Sequence, residues 1–94
     1  MIILGTGAIG GETARLAKAF RMKTIGVSRS GKQVEHFDEV YKTDELKRIL
    51  PEADFIVSVL PSTKETKHLL TYEHFDAMKE SAVFLNMGRG DLFK

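Results

Sequence analysis

Glycines at positions 5, 7 and 10 directly follow the apolar run Met1-Ile2-Ile3-Leu4, which gives G-x-G-x-x-G at the end of a short strand. In that setting each glycine has its own task. Gly5 permits a tight turn, Gly7 lets an anion approach the backbone, and Gly10 lets the next helix pack close to the sheet. The freed amides at the helix start then point at the anion, with the positive end of the helix dipole behind them. This is a cradle for the pyrophosphate of a dinucleotide. The motif alone is a weak signal, because glycine-rich turns without a ligand are common. A strand before it and a helix after it supply the context it requires.

The end of the second strand selects between cofactors. An NAD site usually carries Asp or Glu about twenty residues on, where it accepts hydrogen bonds from the adenosine ribose. Here the strand Lys23–Ser28 runs instead into Ser28-Arg29-Ser30-Gly31-Lys32. A carboxylate would repel the extra phosphate of NADP, whereas two hydroxyls, a guanidinium and a nearby ammonium would bind it. Charge-assisted hydrogen bonds of that kind contribute ~1.5–3 kcal/mol each when well formed. NADP(H) is therefore the expected cofactor, with NAD(H) as the other candidate. A solvated basic turn is the plain alternative for these residues.

The remaining pattern is that of elements able to position such loops. Ile9, Thr13, Leu16, Ala17 and Phe20 recur at helical spacing and are expected to form the buried stripe of the first helix. Glu39–Lys42 reads as a short third strand. Thr43 is a fair N-cap for a helix that buries Leu46, Ile49 and Leu50 and that Pro51 ends. Phe55–Leu60 is a nearly continuous apolar strand stopped by Pro61, as expected where both sheet faces are covered. Ser62-Thr63-Lys64-Glu65 has the pattern of a capping box opening a short helix. Thr71 caps a further helix with Tyr72, Phe75 and Met78 as its stripe, and Val83–Asn86 is a fifth strand. Strands alternating with helices imply an α/β fold, a Rossmann-type doubly wound parallel sheet of about five strands in the order 3-2-1-4-5. The glycine loop, Ser28-Arg29, Leu60-Pro61 and Asn86-Met87-Gly88-Arg89-Gly90 then all fall at the carboxyl edge, where such sheets bind ligands.

Composition bounds the alternatives. The chain has 94 residues, enough for one domain, with 43% hydrophobic and 29% charged residues and a net charge of +1. That balance argues against a dedicated nucleic-acid or membrane-surface role. No run reaches the length of a membrane-spanning helix, and Met1 leads at once into a strand rather than a signal peptide. With no cysteine, disulfides, thiolate catalysis and cysteine-ligated metal are ruled out, and no metal site is expected. The absence of cysteine fits a cytoplasmic enzyme.

Four segments together resemble the D-isomer-specific 2-hydroxyacid dehydrogenases. They are Gly5-Thr6-Gly7-Ala8-Ile9-Gly10, Ser28-Arg29-Ser30, Leu60-Pro61 with Thr63 and Thr66 before Leu69-Leu70, and Asn86-Met87-Gly88-Arg89-Gly90. The Ser-Arg-Ser variant is similar to that of the NADP-preferring glyoxylate and hydroxypyruvate reductases. The resemblance implies a pyrophosphate contact through the backbone at Ala8 and Ile9, and an adenosine-side selector at Ser28, Arg29 and Ser30. It implies a wall along the nicotinamide-side ribose at Leu60, Pro61 and Thr66, and backbone beside the nicotinamide at Met87 and Gly88. Arg89 matches the catalytic arginine that orients a 2-oxo acid and polarises its carbonyl. That role is physically sensible, since a guanidinium can hold a carboxylate and stabilise an oxygen gaining negative charge.

The same resemblance implies a histidine proton donor and a glutamate partner beyond the N-x-x-R-G motif, and His36, His68 and His74 do not match it. Residues 1–94 are thus expected to be the NAD(P)-binding fragment of a longer, homodimeric dehydrogenase, inactive by itself and without the substrate-binding segments. A stand-alone dinucleotide-binding regulatory module and a Rossmann dehydrogenase acting on amino or branched keto acids are the alternatives. Arg89 argues against the latter.

Overall fold

The structure is a computed structural model that describes residues 1–60 and 69–87. Its strands are β1 (Ile2–Leu4), β2 (Ile25–Ser28), β3 (Glu39–Lys42), β4 (Phe55–Ser58) and β5 (Val83–Asn86). They form one sheet in the order β3-β2-β1-β4-β5, and every neighbouring pair is parallel. Helices α1 (Ala8–Ala19), α2 (Leu46–Ile49) and α3 (Tyr72–Ala77) lie in the connections. This is the doubly wound Rossmann-type sheet that the alternation of elements implies.

β1 is the axis. It is bonded on both sides, and all its residues are buried, which is why it reads as an unbroken apolar run. Alternate residues feed two cores. Ile2 and Leu4 join Val27 and Ile56 beneath Leu46, Ile49, Leu50 and Leu70 on one face. Ile3 packs with Ala14 and Phe37 on the other.

Helix α1 is rotated from the expected orientation. Its buried residues are Gly10, Ala14 and Ala17. Ile9, Leu16 and Phe20 are 62%, 49% and 79% exposed. Of the expected stripe only Ala17 is buried. The cause is how closely the helix approaches the sheet. A Cβ on Gly10 would stand 2.0 Å from the Gly5 carbonyl oxygen, so only the face made of small residues can sit at that distance. The helix ends in a Schellman turn, with Met22 N–H donating to Ala17 O (3.0 Å) and Arg21 N–H to Lys18 O (2.9 Å). Arg21 occupies the left-handed position, with φ of 62°.

Smaller differences have local causes. β2 starts at Ile25, two residues later than expected, and β4 stops at Ser58, two residues earlier. Thr43 does not cap a helix, because a 3-10 turn over Thr43–Glu45 precedes α2. Pro51 does not end α2 but lies inside a second 3-10 turn, Leu50–Glu52, near its start, where a missing N–H is harmless. Leu46, Ile49 and Leu50 are buried as expected. Thr71 does precede α3, and its N–H donates to His74 Nδ1 (3.0 Å). Tyr72, expected in the buried stripe of α3, is 79% exposed, and Phe75 is 45% exposed. Phe75 meets Phe84 of β5 with ring centres 6.1 Å apart. The expected helix at Ser62–Glu65 lies outside the described residues.

The connection between β2 and β3 is pinned rather than loose. The Asp38 carboxylate accepts the N–H of fully buried Thr24 at 2.8 Å and pairs with Lys18 of α1. Gln33 Nε2 donates to Phe37 O at 2.7 Å, and Phe37 is buried over the sheet. The turn at residues 28–32 is thereby anchored at both ends.

Adjacent glycines of α1 should respond in opposite directions. Gly10→Ala must push the helix off the sheet and is expected to destabilise by at least about 2 kcal/mol. Gly11, whose added Cβ would meet nothing within 4 Å, should gain roughly 0.5–1 kcal/mol as alanine. Denaturant unfolding of both variants checks this, and equal effects would contradict the close helix–sheet contact.

The Lys18 ammonium, and next the Thr24 N–H, hold the Asp38 carboxyl below its ordinary range. Its stabilisation is thus complete above the unfolded value, about 3.9, and is lost as pH falls through the depressed folded value. Asp38→Asn should lower Tm at pH 7, by a deficit that shrinks progressively as pH falls below about 3.9. A deficit that is constant with pH would count against the pairing.

Candidate functional site

Because all five strands are parallel, their carboxyl ends share one edge. Leu4 lies beside Val27 and Ser58, Ser28 beside Lys42, and Ser58 beside Asn86. The glycine loop, the Ser28-Arg29-Ser30 turn, Leu60 and Met87 are therefore brought together at that edge, as their sequence positions imply.

Gly5 has φ of +107°, a conformation closed to most side chains. A Cβ there would lie 3.2 Å from Val59 Cγ2 and 3.3 Å from Leu60 Cδ2. The turn is thus wedged against the end of β4, and the Gly5 N–H donates to Val27 O of β2 (2.9 Å). Gly7 takes the N-cap position of α1 with no side-chain cap. Space is open where its Cβ would be. The helical ladder begins with Gly11 N–H to Gly7 O (2.8 Å), so the amides of Ala8, Ile9 and Gly10 have no partner within the helix. Ala8 and Ile9 are exposed, and no acidic residue stands in this first turn. The result is a set of donors at the positive end of a three-turn helix, without a carboxylate to neutralise them.

The turn after β2 is ordered by its own serines. Ser28 Oγ accepts the Gly31 N–H at 3.1 Å, and Ser30 Oγ accepts the Lys32 N–H at 3.2 Å. Each hydroxyl keeps its hydrogen for donation to another group. Arg29, Ser30 and Lys32 are exposed, and the turn holds no Asp or Glu. Gly31 adopts φ of +68°, and a Cβ on it would come within 2.8 Å of Lys42 Cγ. Lys42 therefore belongs to this corner of the molecule. Sequence reading placed it only as the last residue of a strand. Its position at a carboxyl end, on the edge that carries the other described site residues, was the available signal.

On β4, Ser58 is fully buried and its Oγ has no hydrogen-bond partner among the described residues. Leu60 is half-buried and packs on the core beneath. Met87 N–H donates to Ser58 O (2.8 Å), which extends the β4–β5 pairing, while its side chain is 59% exposed. Pro61, Thr66, Gly88 and the candidate catalytic Arg89 lie outside the described residues, as does His68. His36 is exposed in the connection before β3. His74 is engaged at the start of α3, and burial, then the Lys47 charge, lowers its pKa. The neutral ring that results suits an acceptor nitrogen. Among the described residues no group of three or more His, Asp or Glu could hold a metal ion. Among the same residues, no helix is long and apolar enough to cross a membrane.

Residues 1–94 match the model of the D-isomer specific 2-hydroxyacid dehydrogenase NAD binding domain. A glyoxylate reductase of Thermococcus onnurineus is 42% identical over 91 residues, covering 94% of this chain and 26% of that protein. A D-isomer specific 2-hydroxyacid dehydrogenase family protein of Aeromonas salmonicida superposes with a TM-score of 0.91 at 48% identity, covering 99% of this chain and 30% of that one. An NADPH-dependent glyoxylate/hydroxypyruvate reductase of Sinorhizobium meliloti, solved with NADP and sulfate, gives a TM-score of 0.85 at 33% identity, covering 99% and 31%. The chain spans 26–30% of the length of the curated relatives it matches. With its full length matched and its sheet, strand order and glycine turn in agreement, the chain belongs to the D-isomer specific 2-hydroxyacid dehydrogenase family, as an NAD binding domain.

Proposed function

We propose that this chain is the cofactor-binding part of an oxidoreductase that uses NADPH in preference to NADH. The parent protein reduces a small 2-oxo acid, of the glyoxylate or hydroxypyruvate type, to a D-2-hydroxy acid. The observation that carries cofactor binding is the glycine loop. The Gly10–Gly5 contact sets the start of α1 at the carboxyl edge, with uncapped amides and open space at Gly7. Those features fit a pyrophosphate and serve no packing purpose of their own. Relatives named glyoxylate reductase and probable 2-ketogluconate reductase support a 2-oxo acid as substrate. They favour this reading over a stand-alone regulatory module.

The roles proposed are those that the family resemblance implies. The amides of Ala8 and Ile9, with Gly5, Gly7 and Gly10 shaping the loop, receive the pyrophosphate. Ser28, Arg29 and Ser30 receive the adenosine-side phosphate. Leu60, Pro61 and Thr66 wall the nicotinamide-side ribose, and the backbone at Met87 and Gly88 flanks the ring. Arg89 holds the carboxylate of the 2-oxo acid and stabilises the oxygen on which charge develops as hydride reaches the carbonyl carbon. The cofactor supplies that hydride when bound. The proton that completes the alcohol, and the groups that recognise the variable part of the substrate, come from the remainder of a longer protein. That protein is proposed to be a cytoplasmic homodimer, and the 94-residue chain alone to bind cofactor without turning substrate over.

Calorimetric titration of the chain with NADPH and NADH tests the reading. NADPH should bind more tightly. Arg29→Ala should weaken NADPH by roughly 10-fold to 100-fold, the loss of one charge-assisted bond, and leave NADH unchanged. Equal affinities in the parent chain would mean that Ser28-Arg29-Ser30 is a passive turn. Glyoxylate-dependent oxidation of NADPH by the isolated chain would contradict its proposed inactivity.

A further inference from the structure

Lys42 is the charged residue on the carboxyl edge to which the reading above gives no task. It closes β3 directly beside Ser28 of β2. The turn that begins at Ser28 folds down on the stem of Lys42. A Cβ at Gly31 would stand 2.8 Å from Lys42 Cγ and 3.4 Å from its backbone nitrogen. Gly31 is also left-handed, and its N–H is tied back to Ser28 Oγ at 3.1 Å. The turn is therefore fixed on this lysine, and the ammonium lies only three bonds beyond the carbon in contact.

The neighbouring charges favour an anion here. Of the carboxylates nearby in sequence, Glu45 is the one bonded to Lys42. One of its oxygens accepts the Lys42 backbone N–H at 3.1 Å, and the other pairs with Arg48 at 2.7 Å. Its charge is thus engaged by the Arg48 guanidinium. The Lys42 ammonium itself forms no hydrogen bond or ion pair among the described residues, and the side chain is exposed.

From this placement we infer that Lys42 is a further determinant of cofactor specificity. It contributes, with Arg29 and Lys32, to a pocket for a phosphomonoester on the adenosine ribose. Arg29 and Lys32 approach from the turn after β2, and Lys42 from the neighbouring strand. A phosphate would then be met from two elements rather than one. An ammonium acts as a compact point charge, so its effect should depend on charge and on salt rather than on fork geometry. The inference rests on the NADP reading, and its test separates the two.

Adenosine 2′,5′-bisphosphate and adenosine 5′-monophosphate differ by the one phosphate at issue and need only the adenosine half of the site. Their affinities are to be measured calorimetrically for the parent chain, Arg29→Ala, Lys42→Met and Lys42→Arg, each shown folded by a thermal melt. Lys42→Met keeps the stem over Gly31 and removes the charge. It should weaken the bisphosphate about 5-fold to 10-fold and leave the monophosphate unchanged. Lys42→Arg should retain most of the preference, and the loss in Lys42→Met should shrink in high salt. If Arg29→Ala abolishes the preference and Lys42→Met does not, the NADP reading stands and Lys42 is only a packing residue. A parent chain that binds both nucleotides equally, or neither, overturns the NADP reading and this inference with it.

Discussion

The structure depends on a close approach between two glycines. Gly10 of the first helix rests so near the carbonyl of Gly5 that no side chain fits between them. From that one approach follow the depth at which α1 sits, the small residues on its buried face, and the direction of its N-terminus. Gly5 is itself wedged by Val59 and Leu60, so the same contact ties the loop to the end of β4. The turn, the helix and two strands are in this way one rigid unit, and the open amides at its tip are held in place before any ligand arrives. Preorganised donors of that kind lose little freedom on binding.

Electrostatics at the other end of the edge is simpler. The turn after β2 contains cations and hydroxyls and no carboxylate, and its serines are oriented by backbone N–H groups rather than by each other. A dinucleotide lying from the glycine loop to this turn would place its phosphates over two separate sources of positive potential, a helix terminus and a cationic corner. The first is common to any dinucleotide. The second would matter only for one carrying an extra phosphate, so the proposal assigns affinity and choice of cofactor to different residues.

Much of this was legible in the sequence, for identifiable reasons. β3 and β5 lie where the pattern puts them, and the strand order follows from right-handed crossovers acting on the alternation of elements. The glycine spacing gave the loop, because each glycine answers a steric demand that no other residue meets. The misassigned helix faces share one cause, which is that periodicity weighs large apolar residues. Helix α1 packs by its smallest residues, so counting Ile9, Leu16 and Phe20 selected the exposed side. Tyr72 was misplaced in the same way, on a helix too short to bury a full stripe. Lys42 escaped notice because the role inferred for it depends on a neighbour from another strand, and such pairing is visible only once the register is known.

The central claim is that the dinucleotide is received by the amides at the start of α1. Amide chemical-shift mapping of the 15N-labelled chain during titration with NADPH tests it most directly. The predicted result is that Gly7, Ala8, Ile9 and Gly10 shift most, together with Ser28–Lys32, and that all follow one binding curve. Largest shifts at the opposite edge of the sheet, in the hollow lined by Met22, Ile49 and Ala53, with the glycine loop unmoved, would contradict it.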